Sequence, residues 1–145
     1  MKKQTILVSV CLLGVCCRYD GESKPNEKVI ALREKYTLIP ICPEVDGGLS
    51  TPRTPSERVG DLVLMRDGKD VTENYRLGAE AALERANMFS CTSAILKARS
   101  PSCGKGQIYD GSFSGNLTDR DGVAAELLMQ NGITVYTEDE IDLLK

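Results

Sequence analysis

Histidine and tryptophan are both absent from this 145-residue sequence, and aromatic residues make up only 5% of it. Without histidine the chain has no imidazole base, no serine–histidine or cysteine–histidine nucleophile, and no zinc site that needs imidazole. Any chemistry must therefore use thiolates, carboxylates, hydroxyl groups and the backbone. The shortage of aromatic residues also predicts a core of aliphatic side chains.

An excess of basic residues is missing as well, because the formal net charge is −3 and the pI is about 5.1. Binding to a nucleic acid polymer depends on phosphate neutralisation by lysine and arginine, so we expect no such partner. No apolar run approaches the roughly 20 residues that cross a bilayer, so we expect no membrane association. The apolar residues 5–13 precede no small-residue cleavage site. We interpret them as a buried strand and expect a cytoplasmic protein.

The chain length is close to the commonest size for one domain, so we expect a single α/β domain over residues 1–145. Short aliphatic and β-branched runs alternate with helical patterns, and they occur at residues 6–10, 37–41, 92–96 and 133–136. This order predicts a small, doubly wound, Rossmann-like parallel sheet of about four strands. The sequence leaves the oligomeric state open.

Between the second and third predicted strands the pattern changes. Residues 43–60 are rich in proline and glycine and predict a long irregular loop, and loops of that length are often functional. The apolar residues 62–65, the Asp67-Gly68 pair and Val71 predict a hairpin insertion.

Further along, residues 118–121 (Thr-Asp-Arg-Asp) predict the N-terminal cap of a helix.

Six cysteines are present, and in a reducing compartment they indicate metal binding, catalysis or core packing rather than disulfides. Cys11 and Cys42 directly follow the first two predicted strands, and Cys103 follows the third by a short loop. The ligand crevice of an open parallel sheet lies outside the carboxyl ends of its strands. We therefore expect these three cysteines to meet at one site.

Three thiolates without histidine suit a soft metal centre. An iron–sulfur cluster that is held by three cysteines leaves one iron without a protein ligand, and that iron can act as a Lewis acid. Glu44 lies two residues beyond Cys42, and Ser100 and Ser102 lie beside Cys103. These three side chains would supply protons and hydrogen bonds at such a site.

The other cysteines leave alternatives open. Cys91 is interpreted as core packing, because free cysteine is among the most buried residue types. Cys16 and Cys17 are adjacent, so their side chains diverge and at most one faces the crevice. Either could complete a four-cysteine zinc site, and a protein that carries sulfur or metal without catalysis is a further alternative.

Three groups of residues, taken in order, resemble the DUF523 family of small bacterial proteins, which includes the thiouracil desulfidases. The resemblance covers nearly the whole chain, and the three groups together are specific. The matching residues are Cys-Leu-Leu-Gly at 11–14 with Arg-Tyr-Asp-Gly at 18–21, Cys-Pro-Glu at 42–44 with Gly-Gly-Leu at 47–49 and Pro-Arg at 52–53, and Leu-Lys at 96–97 with Ser-Pro-Ser-Cys-Gly at 100–104.

The resemblance implies a 4Fe–4S cluster bound by Cys11, Cys42 and Cys103, with one iron open to substrate. It implies non-redox desulfuration of a small thiolated compound such as 2-thiouracil, giving uracil and sulfide. Glu44 would then act as base and acid. Ser100 would be its hydrogen-bond partner, with Ser102 as the reserve candidate for that role.

Overall fold

The structure is a computed structural model, and it describes residues 3–144. Short 3-10 helices lie at Val10–Leu13, Leu32–Glu34 and Glu138–Leu143. The strands and α-helices in chain order are β1 (Gln4–Ser9), α1 (Glu27–Ala31), β2 (Tyr36–Ile41), α2 (Pro43–Asp46), β3 (Ser56–Val59), β4 (Leu62–Met65), α3 (Thr72–Met88), β5 (Ser93–Leu96), β6 (Ile108–Tyr109), β7 (Leu117–Thr118), α4 (Val123–Gln130) and β8 (Thr134–Thr137).

Four strands form the central sheet, in the order β2-β1-β5-β8. Every neighbouring pair in this sheet is parallel. The predicted Rossmann-like parallel sheet of four strands is therefore confirmed. Because all four strands run the same way, their carboxyl ends lie along one edge of the sheet.

Both faces of the sheet are buried, which explains why its strands read as continuous apolar runs. Successive side chains of a strand point to opposite faces. On β1, Ile6 and Val8 pack on one face with Val29 of α1. Leu7 packs on the other face, in the cluster that contains Ala82 of α3 and Leu128 of α4.

The contact between α2 and α3 fixes the segment that follows β2. Gly78 of α3 lies so close to this segment that an added Cβ would be 1.9 Å from the carbonyl oxygen of Pro43. Gly47 is equally crowded, because its added Cβ would be 2.0 Å from the carbonyl oxygen of Asn74. Two glycines therefore let the backbones of α2 and α3 touch directly.

A hairpin insertion is present, but its strands differ from those that we predicted. β3 pairs with β4 in antiparallel register. The predicted Asp67-Gly68 turn also forms, around an antiparallel bridge between Leu64 and Asp70. On either side of this bridge, Met65 N–H donates to the carbonyl of Lys69 at 2.8 Å and Val71 N–H donates to that of Val63 at 2.9 Å. Residues 43–60 accordingly contain the short helix α2 and the strand β3 rather than one irregular loop. The turn between β3 and β4 uses Gly60, whose φ of 61° suits glycine.

The predicted helix cap at residues 118–121 is wrong. Thr118 pairs with Ile108 in the β6–β7 hairpin, and α4 begins only at Val123. The Asp121 side chain accepts a hydrogen bond from the backbone N–H of Gly106 at 2.7 Å. This carboxylate therefore stabilises a loop instead of a helix end. Across residues 3–144, no helix has the length and apolar character that a membrane span requires.

Candidate active site

The carboxyl ends of β1, β2 and β5 open into one cavity of about 490 Å³. Volumes of this size are typical of small-molecule sites. Four cysteines line the cavity, and they are Cys11, Cys17, Cys42 and Cys103. The convergence that we predicted for Cys11, Cys42 and Cys103 thus occurs in the structure.

Each of these three cysteines is placed by the backbone that follows a strand. Cys11 lies in the 3-10 helix after β1, and Cys42 is the N-cap of α2 after β2. Cys103 follows β5 in a turn closed by the bond from Gly104 N–H to the carbonyl of Ser100 at 2.8 Å. Cys11 and Cys103 are buried and Cys42 is half-buried. Parallel strand ends therefore bring together residues that are distant in sequence.

The surroundings of Cys42 and Cys103 favour the protonated forms of these two thiols in the protein alone. Burial and the nearby charge of Glu44 raise the pKa of Cys103 to about 12. The hydrogen-bonded Cys17 thiol and burial raise the pKa of Cys42 well above its usual range. Because metal ligands must be thiolates, binding of a metal centre would release these protons.

The three remaining cysteines lie in different environments. Cys17 is buried in the cavity wall, and its pKa is raised to about 11, chiefly by a hydrogen bond with Cys11. Cys16 is exposed, which agrees with the expectation that only one of the adjacent pair faces the crevice. Cys91 packs in the core against the α3–α4 face of the sheet, as we interpreted it.

Glu44 lies in the first turn of α2, and two side chains hold one of its oxygens. The Arg53 guanidinium donates to Oε2 at 3.0 Å, and the Tyr75 phenol donates to the same oxygen at 3.2 Å. Arg53 is only 3% exposed and its partner carboxylate 17%. This ion pair is therefore a shielded contact inside the cavity rather than a surface tie between loops.

Ser100 and Ser102 have different surroundings. The Ser100 Oγ accepts hydrogen bonds from the backbone N–H groups of Ser102 and Cys103, both at 3.1 Å. It lies 3.5 Å from Oε1 of Glu44, to which its hydroxyl donates. Ser100 lines the cavity. Ser102 is fully buried and lies outside the cavity lining.

The donor set fits an iron–sulfur cluster. Its thiols come from three strand ends and line one cavity, and the chain has no histidine to offer imidazole. A cluster binds each cysteine through a different iron, so its ligand sulfurs need not converge on one point.

Several cavity residues were not singled out from the sequence. They are Tyr75 of α3, Glu57 of β3, Arg66 after β4 and Phe113 between β6 and β7. Each comes from an element other than the parallel strands, and no local motif marks it. For Tyr75 and Phe113 the composition was a signal, because aromatic residues are so scarce in this sequence that each is worth testing.

Comparison with known proteins agrees with this geometry. Residues 6–140 match the 2-thiouracil desulfurase family. An uncharacterised Bacillus subtilis protein, YbbK, is 42% identical over 94% of this chain and 97% of its own length. The solved structure of the [4Fe-4S]-dependent thiouracil desulfidase TudS (DUF523Vcz) superposes with a TM-score of 0.91. It shares 43% identity, over 98% of this chain and 95% of its own. The resemblance noted from the sequence is thus confirmed, and this chain belongs to the 2-thiouracil desulfurase family.

Proposed function

We propose that this protein is a 4Fe–4S-dependent desulfidase that replaces the sulfur of a small thiolated compound by oxygen. A thiopyrimidine such as 2-thiouracil is the favoured substrate, with uracil and sulfide as products. Family membership and the likeness to TudS support this proposal. The observation that carries it is that Glu44 and Ser100 line the same cavity as Cys11, Cys42 and Cys103.

Cys11, Cys42 and Cys103 would hold the cluster. When bound through only three cysteines, such a cluster supplies one iron as a Lewis acid for sulfur. The overall reaction needs no oxidant or reductant, because water supplies the oxygen and both protons of the hydrogen sulfide. The protein must therefore activate water and move a proton.

Glu44 is the group that we propose for that proton transfer. Arg53 and Tyr75 occupy Oε2, so the carboxylate is fixed in orientation while Oε1 faces Ser100. From this position Glu44 would take a proton from the attacking water and later deliver it to the departing sulfide. General base catalysis of this kind contributes roughly 10²–10⁴-fold to a rate.

Ser100 would orient the reacting groups. Its Oγ already accepts two backbone N–H bonds, so its own proton is available to Glu44 or to a substrate atom. We assign the serine role to Ser100 because Ser102 is fully buried and does not line the cavity.

The cavity and the composition favour a small substrate in the cytoplasm. A net charge of −3 gives no basic track for an oligonucleotide backbone. All six cysteines are free thiols, and a reducing compartment keeps them so. We therefore propose a cytoplasmic enzyme that acts on a small molecule.

Anaerobic reconstitution with iron and sulfide, followed by addition of 2-thiouracil, tests the proposal. We expect a brown protein that releases sulfide and uracil in equal amounts. Cys103→Ala should lose the colour and the activity, whereas Glu44→Gln should keep the colour and lose at least about 100-fold in rate. Cys16→Ser, which changes an exposed cysteine outside the cavity, is the matched control and should behave as the wild type.

Each negative result would reject a different part of the proposal. A brown protein that releases no sulfide from 2-thiouracil or from related thiopyrimidines would contradict the proposed desulfidase activity but support the proposed cluster. A colourless protein with stoichiometric zinc would contradict the cluster itself. Full activity in Glu44→Gln would remove this carboxylate from the mechanism.

A further inference from the structure

The loop between β6 and β7, residues 110–116, forms part of the cavity wall. Phe113 and Gly115 of this loop line the cavity. Phe113 is half-buried and has a φ of 56°, which places a bulky residue in the left-handed region. Such a backbone is unfavourable for phenylalanine, so surrounding contacts must maintain it.

Glu57 of β3 supplies those contacts. Its Oε1 accepts hydrogen bonds from the backbone N–H groups of Gly111 at 2.9 Å and Phe113 at 3.1 Å. The residue is only 8% exposed, so both bonds are shielded from water. A buried carboxylate that accepts two N–H bonds is a strong restraint on the loop.

The loop also presses directly against β3. Gly111 has a φ of 96°, and an added Cβ there would be 2.9 Å from Cγ2 of Val59 and 3.0 Å from the carbonyl oxygen of Arg58. Only glycine meets both conditions at this position. Glu57 and Gly111 therefore hold the backbone on the N-terminal side of Phe113 against β3.

The Phe113 ring has a cation beside it. The guanidinium carbon of Arg66 lies 5.7 Å from the ring centroid, and Arg66 also lines the cavity. A cation at this distance is attracted to the ring face and restricts its rotation. Glu57, Gly111 and Arg66 thus fix one aromatic plane in the cavity wall.

We propose that Phe113 is a substrate-binding residue whose ring stacks against the pyrimidine ring of the substrate, and that Glu57 is the positioning residue that holds it there. This inference rests on the proposed function, because it takes the substrate to be a planar heterocycle. Stacking on an aromatic side chain is insensitive to the substituents of a base. The same wall would therefore bind the thiolated substrate and the sulfur-free product.

Uracil binding tests this inference without turnover. Isothermal titration of the cluster-loaded protein gives the Kd for uracil, a ligand that has no sulfur to bind iron. Phe113→Asn removes the ring, and asparagine tolerates the left-handed backbone. We expect the Kd to rise about 10-fold or more in this variant, and Phe113→Tyr to remain near the wild type. Phe89→Ala is the matched control, since Phe89 is the other phenylalanine and lies outside the cavity lining.

The positioning role of Glu57 is tested by comparing a disruptive with a conservative substitution. Glu57→Ala should raise the Kd for uracil as Phe113→Asn does, while Glu57→Gln should restore binding because its amide oxygen still accepts both N–H bonds. The double variant Glu57→Ala with Phe113→Asn should bind no more weakly than either single variant. Iron content per chain should be equal in all of them, which separates loop positioning from loss of the cluster or the fold.

Turnover gives an independent reading. With 2-thiouracil we expect Phe113→Asn to raise KM about 10-fold and to leave kcat within about twofold, because stacking binds substrate and transition state alike. Equal Kd values for uracil in the wild type and Phe113→Asn would overturn the inference, as would a wild type that binds no uracil. A wild type that binds uracil through Phe113 but releases no sulfide would contradict the proposed desulfidase and leave the stacking role standing.

Discussion

The phenol of Tyr75 donates a hydrogen bond to Oε2 of Glu44 at 3.2 Å, and it does so from a position that is only 1% exposed. Burial and the charge of Glu44 raise the pKa of Tyr75 well above its ordinary value, so this phenol stays a neutral donor. Arg53 donates to the same oxygen. A helix outside the parallel sheet thereby sets the orientation of the proposed base.

Tyr75→Phe keeps the ring and removes only that donor. We expect sulfide release from 2-thiouracil to slow by roughly 10-fold, which corresponds to one hydrogen bond to a charged group, with iron content unchanged. Tyr136→Phe is the control, because Tyr136 lies outside the cavity lining. Equal rates for Tyr75→Phe and the control would show that Arg53 alone is sufficient to hold Glu44.

Ser100→Ala and Ser102→Ala distinguish the two serines. Removal of the Ser100 hydroxyl takes away the donor to Glu44 and leaves the N–H groups of Ser102 and Cys103 without their acceptor. We expect the larger loss of kcat in Ser100→Ala, on the order of 10-fold or more. A greater loss in Ser102→Ala, at equal iron content, would transfer the serine role to Ser102.

Gly78→Ala is predicted to destabilise the protein. Its Cβ would meet the carbonyl oxygen of Pro43 at 1.9 Å, and neither backbone can yield without separating α2 from α3. We expect a loss of about 1–3 kcal/mol in the free energy of unfolding, with a Tm lower by several degrees. Glu84→Ala, at an exposed position of the same helix, should stay within about 0.5 kcal/mol of the wild type. An unchanged Tm for Gly78→Ala would contradict this close packing.

Glu140 makes the free energy of unfolding depend on pH. Burial alone would raise the pKa of this carboxyl, but hydrogen bonds from the backbone N–H of Thr137 at 3.0 Å and from Lys105 at 3.2 Å lower it overall. A carboxyl whose pKa is lower in the folded state stabilises the fold above its unfolded value of 4.5. That contribution disappears as the pH falls through the folded pKa.

Glu140→Gln should therefore have a lower Tm than the wild type at pH 7, and the difference should shrink as the pH falls below about 4. Thermal unfolding of both proteins across this range checks the prediction. Glu34→Gln, which changes an exposed carboxylate, is the control and should show no such gap at pH 7. A difference in Tm that widens as the pH falls would contradict the lowered pKa assigned to Glu140.

The sheet and the cysteines were predictable for the same physical reason. Parallel strands buried on both faces need continuous apolar runs, and these runs mark their own ends in the sequence. Cys11 and Cys42 could be placed at strand ends because they directly follow such runs. The helix start at residues 118–121 could not be judged in this way, because Asp121 bonds a loop N–H as readily as a helix end.

Residues from outside the parallel strands were beyond this kind of reasoning. Tyr75 reaches Glu44 only because Gly47 and Gly78 let α2 and α3 touch. Glu57 looks like an ordinary strand carboxylate until the distant loop at residues 110–116 places two N–H groups on it. These contacts join segments that no local pattern relates.

The sequence by itself determined the α/β class, the order of the four parallel strands along the chain, the absence of imidazole chemistry and the three cysteines at strand ends. These properties follow from periodicity and composition, which act over a few neighbouring residues. Only the tertiary structure decided that Arg53 and Tyr75 share one oxygen of Glu44, that Ser100 rather than Ser102 lines the cavity, and that Phe113 forms part of its wall. Those relationships depend on how packed elements approach one another, because close backbone contact and shielded hydrogen bonds exist only once the chain has folded.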